Sequence, residues 1–207
     1  MPSLAFLPNL LTLGSVVSAV IGLLSLSRPG GVAATAVAML CLSVCLVCDV
    51  LDGKLARKLG LSSPMGAQLD SLADLLAFGV LPAFAAARAM RPTWEPDAQV
   101  SLVTAAFVVA VVVRLARYSE VGLIRNRFGE CFVGLPSSVA AIVLMAALVA
   151  QEQLHWPSAM LGAVALVLAL LMNMRFPFPK RGVGFYPWVL LVPVLLAIVW
   201  WPVMRAG

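Results

Sequence analysis

A polytopic bundle of membrane-spanning helices is the fold this sequence predicts, and three observations carry the prediction. Of 207 residues, 62% are apolar and only 11% charged, where soluble domains carry roughly 25% charged residues. Mean hydropathy is +1.04, which excludes a disordered chain, because disorder needs low hydrophobicity and high net charge. The apolar residues are also gathered into runs near the length of about 20 that crosses a bilayer. The expected architecture is all-α: one membrane-embedded domain over 1–207 with no soluble domain appended.

The elements follow in order. The first span, 9–27, has no basic residue before it and no small-residue cleavage site after it, so it is expected to stay in the mature chain rather than leave as a signal peptide. Arg28-Pro29-Gly30-Gly31 is turn chemistry and separates it from the second, 32–51. A polar loop over 52–68 leads to the third, 69–89, which ends at Arg91-Pro92-Thr93-Trp94-Glu95-Pro96. The fourth, fifth and sixth runs cover 98–116, 134–150 and 157–173, and Phe176-Pro177-Phe178-Pro179-Lys180 closes the sixth. A seventh run, 186–203, is interrupted by Pro187, Pro193 and Pro202 and reads as one kinked span or a shallow hairpin.

Cations orient the bundle. With the 52–68 loop in the cytoplasm, Lys54, Arg57, Lys58, Arg114, Arg117, Arg125, Arg127, Arg175, Lys180 and Arg181 lie inside, and Arg28, Arg88, Arg91 and Arg205 outside. That asymmetry follows the positive-inside bias and puts the N-terminus in the cytoplasm. The net charge of +5 is therefore a membrane signature. The basic residues are dispersed and no aromatic platform accompanies them, so nucleic acid is not an expected partner.

The acidic residues are more informative. Only nine exist in the chain, yet Asp49, Asp52, Asp70 and Asp74 fall within one short stretch. Each costs about 2.5–3.5 kcal/mol at the centre of a membrane helix. At 100° per residue, Asp52, Gly53 and Ala56 lie at about −60°, +40° and −20° from Asp49, on one helical face. Gly66 and Asp74 lie at about −40° and +40° from Asp70, again one stripe. Two antiparallel neighbours would point all four carboxylates into one space, with small residues keeping the walls thin. Facing carboxylates repel, and hard divalent cations with oxygen ligands relieve them, so the pattern reads as a Mg²⁺ or Mn²⁺ site for a pyrophosphate. Arg57, one turn beyond Asp52, is placed for an anionic phosphate. A polar helix pair lining a water-filled crevice is the alternative that geometry alone leaves open.

Written out, Asp49-x2-Asp52-Gly53-x2-Ala56-Arg57-x8-Gly66-x3-Asp70-x3-Asp74 resembles the signature of the CDP-alcohol phosphatidyltransferases, with all the defining residues at the family spacing. The resemblance implies a six-helix core with an additional C-terminal span, a homodimer, and a phosphotransferase acting on CDP-diacylglycerol at the bilayer surface. It implies that Asp49, Asp52, Asp70 and Asp74 hold the metals, with Asp74 also the general base. Gly53, Ala56, Arg57, Ser63 and Gly66 would meet CDP-diacylglycerol. Asn9 and Thr12 would do so from the first helix, where an N-cap and an ordinary threonine are the plainer readings.

Four further segments are similar to the branch of that family that uses L-serine: Pro8 to Leu13, Arg114-Leu115-Ala116-Arg117-Tyr118, Phe132-Val133-Gly134-Leu135-Pro136-Ser137, and Arg175-Phe176-Pro177-Phe178-Pro179-Lys180. A serine carboxylate would need a cation, and Arg114, Arg117, Arg125 and Arg127 are the candidates; for any single one, a headgroup anchor is the plainer role. Inositol phosphate, inositol or glycerol phosphate is the alternative acceptor. A divalent-cation transporter is a remote one, since it would need carboxylates near the midplane. Cys41, Cys45 and Cys48 read as small apolar side chains of the second span, not as a metal or disulfide site. His155, in an expected external loop, is too far from cytoplasmic chemistry to serve it. The five tryptophans fall near span ends, as interfacial anchors do.

Overall fold

The computed structural model describes residues 7–28, 31–61, 63–91, 97–126, 129–154 and 156–179. The seventh predicted span at 186–203 lies outside the described residues, as do Arg127, His155, Lys180, Arg181, Arg205 and the tryptophans at 94, 188, 200 and 201. The described backbone forms α1 (Leu7–Leu26), α2 (Gly31–Leu59), α3 (Pro64–Asp74), a π-helical segment (Leu75–Val80), α4 (Leu81–Met90) and α5 (Asp97–Val121). Strands β1 (Ile124–Asn126) and β2 (Gly129–Val133) follow, then α6 (Ser137–Leu154), α7 (Ser158–Asn173) and β3 (Pro177–Pro179). Because α3, the π segment and α4 run on without a break, the helices make a bundle of six rods matching the first six predicted spans.

Five rods are long and apolar enough to cross a membrane. The sixth, α7, has 16 residues and reaches about 24 Å, short of a hydrocarbon core of about 30 Å. Apolar side chains point outward along the rods, among them Leu10, Val17, Ile21 and Leu24 on α1, Leu102 and Val109 on α5, and Leu166 and Leu170 on α7. The centre is filled by Met39, Leu42, Phe78, Phe107, Leu144, Met145 and Leu148, all fully buried.

Several boundaries differ from the sequence reading, for one physical reason. A hydropathy run ends where charges begin, but a helix leaving the bilayer need not stop there. So α2 continues to Leu59 and α5 to Val121, and the expected 52–68 loop shrinks to a short turn. Gly60, at φ +64°, turns the chain after α2. Ser63 then starts α3, its Oγ accepting from the Gly66 amide at 3.0 Å, with Pro64 in the first turn. The small antiparallel sheet was not expected at all. It pairs Arg125 with Glu130 across β1–β2 and Phe132 with Phe178 across β2–β3. Strands this short carry no readable period, and the two prolines of β3 are tolerated because β3 is an edge.

The α1–α2 contact is the most extensive in the bundle, and small residues build it. A Cβ at Gly22 would stand 2.9 Å from Leu81 Cδ1 and 3.1 Å from Cys41 Cβ. Ser18 Oγ donates to the Cys41 carbonyl at 3.1 Å, and the Cys45 thiol to the Ser15 carbonyl at 3.3 Å. At the far end, the Arg88 guanidinium donates to the carbonyls of Leu26 and Arg28, satisfying the C-terminus of α1 from α4.

The sheet is seated on the end of α7 through Gly134, whose φ is +77°. Its amide donates to the Phe176 carbonyl at 2.8 Å, and a Cβ there would lie 2.5 Å from the Met172 carbonyl oxygen. Gly134→Ala is therefore expected to cost about 1–3 kcal/mol, seen as a lowered Tm in detergent. Gly14→Ala, where a Cβ meets nothing within 4 Å, is expected to leave the Tm unchanged or slightly raised.

Candidate functional site

Helix α1 is the template of the site. Both α2 and α3 pack along it, while making little contact with each other, so the acidic side chains face one another across a gap. One carboxylate oxygen each from Asp49, Asp70 and Asp74 lies within 4.8 Å of the other two. None of the three receives a hydrogen bond from a described residue. Three half-buried, all-oxygen donors of one charge, spaced closely and left without protein donors, fit a hard divalent cation.

Asp52 stands apart from that group. It is buried, and its Oδ2 accepts a 2.6 Å hydrogen bond from the Thr12 hydroxyl on α1. The sequence reading pointed four carboxylates into one space; three converge and the fourth is held beside them. The guanidinium of Arg57 folds back over Gly53, where a Cβ would lie 3.4 Å from Nη1, and its charge acts on Asp49, Asp52 and Asp70. A Cβ on Gly66 would stand 3.1 Å from Ser63 Oγ and 3.3 Å from Asn9 Oδ1. The two glycines thus let polar groups from α1, α2 and the start of α3 crowd one mouth. Ala56 is half-buried on the same helix.

A second group of residues adjoins this one. Arg114 is buried, donates from Nη1 to Ser137 Oγ at 2.9 Å, and has its Cζ 5.7 Å and 6.0 Å from the ring centroids of Tyr118 and Phe132. Its charge acts on Asp74 and Asp49. With Arg117, Val121, Gly122 and Val133, these residues line a small pocket. Arg117 is engaged differently: Nη1 and Nη2 donate to the backbone carbonyl and Oδ1 of Asn173, both at 3.1 Å. Asn173 Nδ2 in turn reaches the Ala110 and Ala169 carbonyls at 3.1 Å. That network joins α5 to α7. The backbone of Arg125 lies in β1, while its side chain and all of Arg127 lie outside the description. Sequence reasoning missed Ser137, Phe132 and Asn173 as partners of the arginines. Only Tyr118, four residues after Arg114, had a local signal.

Fold and site together define a polytopic helical membrane protein with an acidic, cation-flanked site between its helices. Residues 5–200 match the CDP-alcohol phosphatidyltransferase family, and the chain belongs to that family. Among curated proteins it is similar to the CDP-diacylglycerol–serine O-phosphatidyltransferase of Mycobacterium tuberculosis, 37% identical over 119 residues, which is 56% of this chain and 41% of that protein. The protein of the same name from Methanocaldococcus jannaschii is 31% identical over 155 residues, 74% of this chain and 69% of that one. One from Helicobacter pylori is 28% identical over 160 residues, covering 74% and 66%. The chain thus spans only about two fifths of the mycobacterial relatives' length.

The Asn173 network gives Arg117 a structural part that Arg114 does not share. Arg117→Ala is expected to lower the Tm in detergent by several degrees, through loss of hydrogen bonds worth about 1 kcal/mol or more each. Because Arg117 also lines the pocket beside Arg114, a raised KM for the acceptor alcohol is expected with it.

Proposed function

We propose that this protein transfers the phosphatidyl group of CDP-diacylglycerol to L-serine, releasing CMP and forming phosphatidylserine. The convergence of Asp49, Asp70 and Asp74 within 4.8 Å, between two membrane helices, carries the reading. Asp49, Asp52, Asp70 and Asp74 would hold the divalent ions. Bound there, Mg²⁺ or Mn²⁺ supplies Lewis-acid neutralisation of the pyrophosphate charge.

The chain's own residues supply the rest. Asp74 takes the proton of the acceptor hydroxyl as that oxygen bonds to the lipid-bearing phosphorus. The bond from this phosphorus to the oxygen of CMP breaks on the opposite side, and CMP leaves with the electron pair. Arg57 meets the phosphates, and Gly53, Ala56 and Gly66 leave room for the nucleotide beside Asn9 and Ser63. Arg114 receives the serine carboxylate, in a pocket walled by Tyr118 and Phe132. Arg117, which also lines this pocket, stands beside Arg114 as a second cation for an anionic acceptor while it ties α5 to Asn173. The relatives' names and the similar segments on α1, α5 and β2 support serine as well. The cation asymmetry supports a site facing the cytoplasm, in the cytoplasmic membrane of a prokaryote, and the family resemblance implies a homodimer.

The test is CMP release by purified protein with CDP-diacylglycerol and Mn²⁺ or Mg²⁺, adding serine, inositol phosphate, inositol and glycerol 3-phosphate in turn. Release is expected with serine, and Asp74→Asn should lower it by about 100-fold or more. Release with another alcohol alone moves the acceptor; release with none overturns the reading.

A further inference from the structure

The hydrogen bond between Thr12 and Asp52 joins residues 40 apart, across the most extensive helix contact in the fold. Both are about 5% exposed. The hydroxyl has one proton and two acceptors in reach: Asp52 Oδ2 at 2.6 Å, and the Pro8 carbonyl, one turn back, at 3.2 Å. The shorter contact, to Asp52, is the stronger of the two and takes the proton. A threonine so engaged has no second proton for a nucleotide. One oxygen of Asp52 is thereby committed, and its carboxylate is held in one orientation from a neighbouring helix.

We propose that Thr12 is a positioning residue for Asp52: it fixes the orientation in which that carboxylate is offered to the metal and pyrophosphate site, and its hydroxyl proton is spent on Asp52 and not on CDP. The inference rests on the divalent-metal reading proposed above. Three observations separate this role from helix packing. Thr12 is the sole described donor recorded to the Asp52 side chain from outside α2. Asp52 is the one aspartate of the four outside the set whose carboxylate oxygens lie within 4.8 Å of one another, while its charge still acts on all three. And the Asn9 side chain, on the same end of α1, lies beside Gly66, where a Cβ would stand 3.3 Å from its Oδ1, while the hydrogen bond from α1 to an aspartate of the site is the one from Thr12.

The experiment uses the full chain in detergent, with Mn²⁺ alone as the probe and free Mn²⁺ followed by electron paramagnetic resonance. Thr12→Val removes the hydroxyl at nearly constant shape, and Thr12→Ser keeps it. Outer partners of metal ligands are typically worth about 10–100-fold in affinity. Thr12→Val is expected to weaken Mn²⁺ binding by that factor, while the KM for CDP-diacylglycerol at saturating Mn²⁺ stays near wild type. Thr12→Ser should bind Mn²⁺ within about threefold of wild type. Wild-type Mn²⁺ affinity in Thr12→Val overturns the proposal, as does a loss in Thr12→Ser equal to that in Thr12→Val. A raised KM for CDP-diacylglycerol with unchanged Mn²⁺ affinity also overturns it and makes Thr12 a nucleotide contact. If Thr12→Val does not fold, Thr12→Ala stands in for it and is held to the same outcomes. No step uses an acceptor alcohol, so a wrong acceptor leaves the result intact, whereas a wild type that binds no Mn²⁺ overturns the metal reading itself.

Discussion

Everything in this molecule is arranged around the cost of holding carboxylates inside an apolar bundle. Four aspartates on two membrane helices amount to several kcal/mol each if left deep and unpaired. The fold answers by setting them on two helices that face each other across a gap, and by placing one cation on either flank. Asp52 is satisfied by the Thr12 hydroxyl. Arg57 lies back over Gly53 from α2, and Arg114 acts on Asp74 and Asp49 from α5. The remaining trio keeps an unsatisfied concentration of negative charge, and a bound divalent ion is the natural complement to it.

Helix α1 has a larger part in this than its plain sequence suggests. With serines, alanine and glycine on its inner face, it admits α2 closely and gives α3 a surface to lean on. The acidic helices are therefore held apart by a third, and the charges meet across space instead of across a helix–helix contact. The cations of α5 are fixed just as firmly. Arg114 is held by Ser137 and two rings, and Arg117 by Asn173. A guanidinium fixed in advance loses little further freedom when it meets an anion, which is the advantage of preorganisation.

Much of this was legible in the residues. The six rods follow from apolar runs of the right length, and the face shared by Asp70 and Asp74 from the period of the helix. What escaped was whatever depended on contact between distant segments. Asp52 sits on the same helical face as Asp49, and nothing local says that Thr12 will draw it aside. Arg114 and Arg117 are alike in sequence, three residues apart with equal charge, and both line one pocket; only the arrival of α6 and α7 gives one Ser137 and the other Asn173 as its partner. The sheet was unreadable because its strands are three to five residues long and owe their existence to the α7 terminus they rest on.

The π segment between Asp74 and Leu81 has a bearing on how such a site is aimed. On an uninterrupted α-helix, Leu81 would fall about 20° from Asp74 and share its stripe. Leu81 instead packs, fully buried, against Gly22 of α1. The wide turn, closed by the Leu81 amide on the Leu76 carbonyl, accommodates one extra residue and resets the helical phase by about 100°. One rod thus carries two differently aimed halves, one that turns aspartates toward α2 and one that turns Leu81 toward α1, with a single wide turn setting the angle between them.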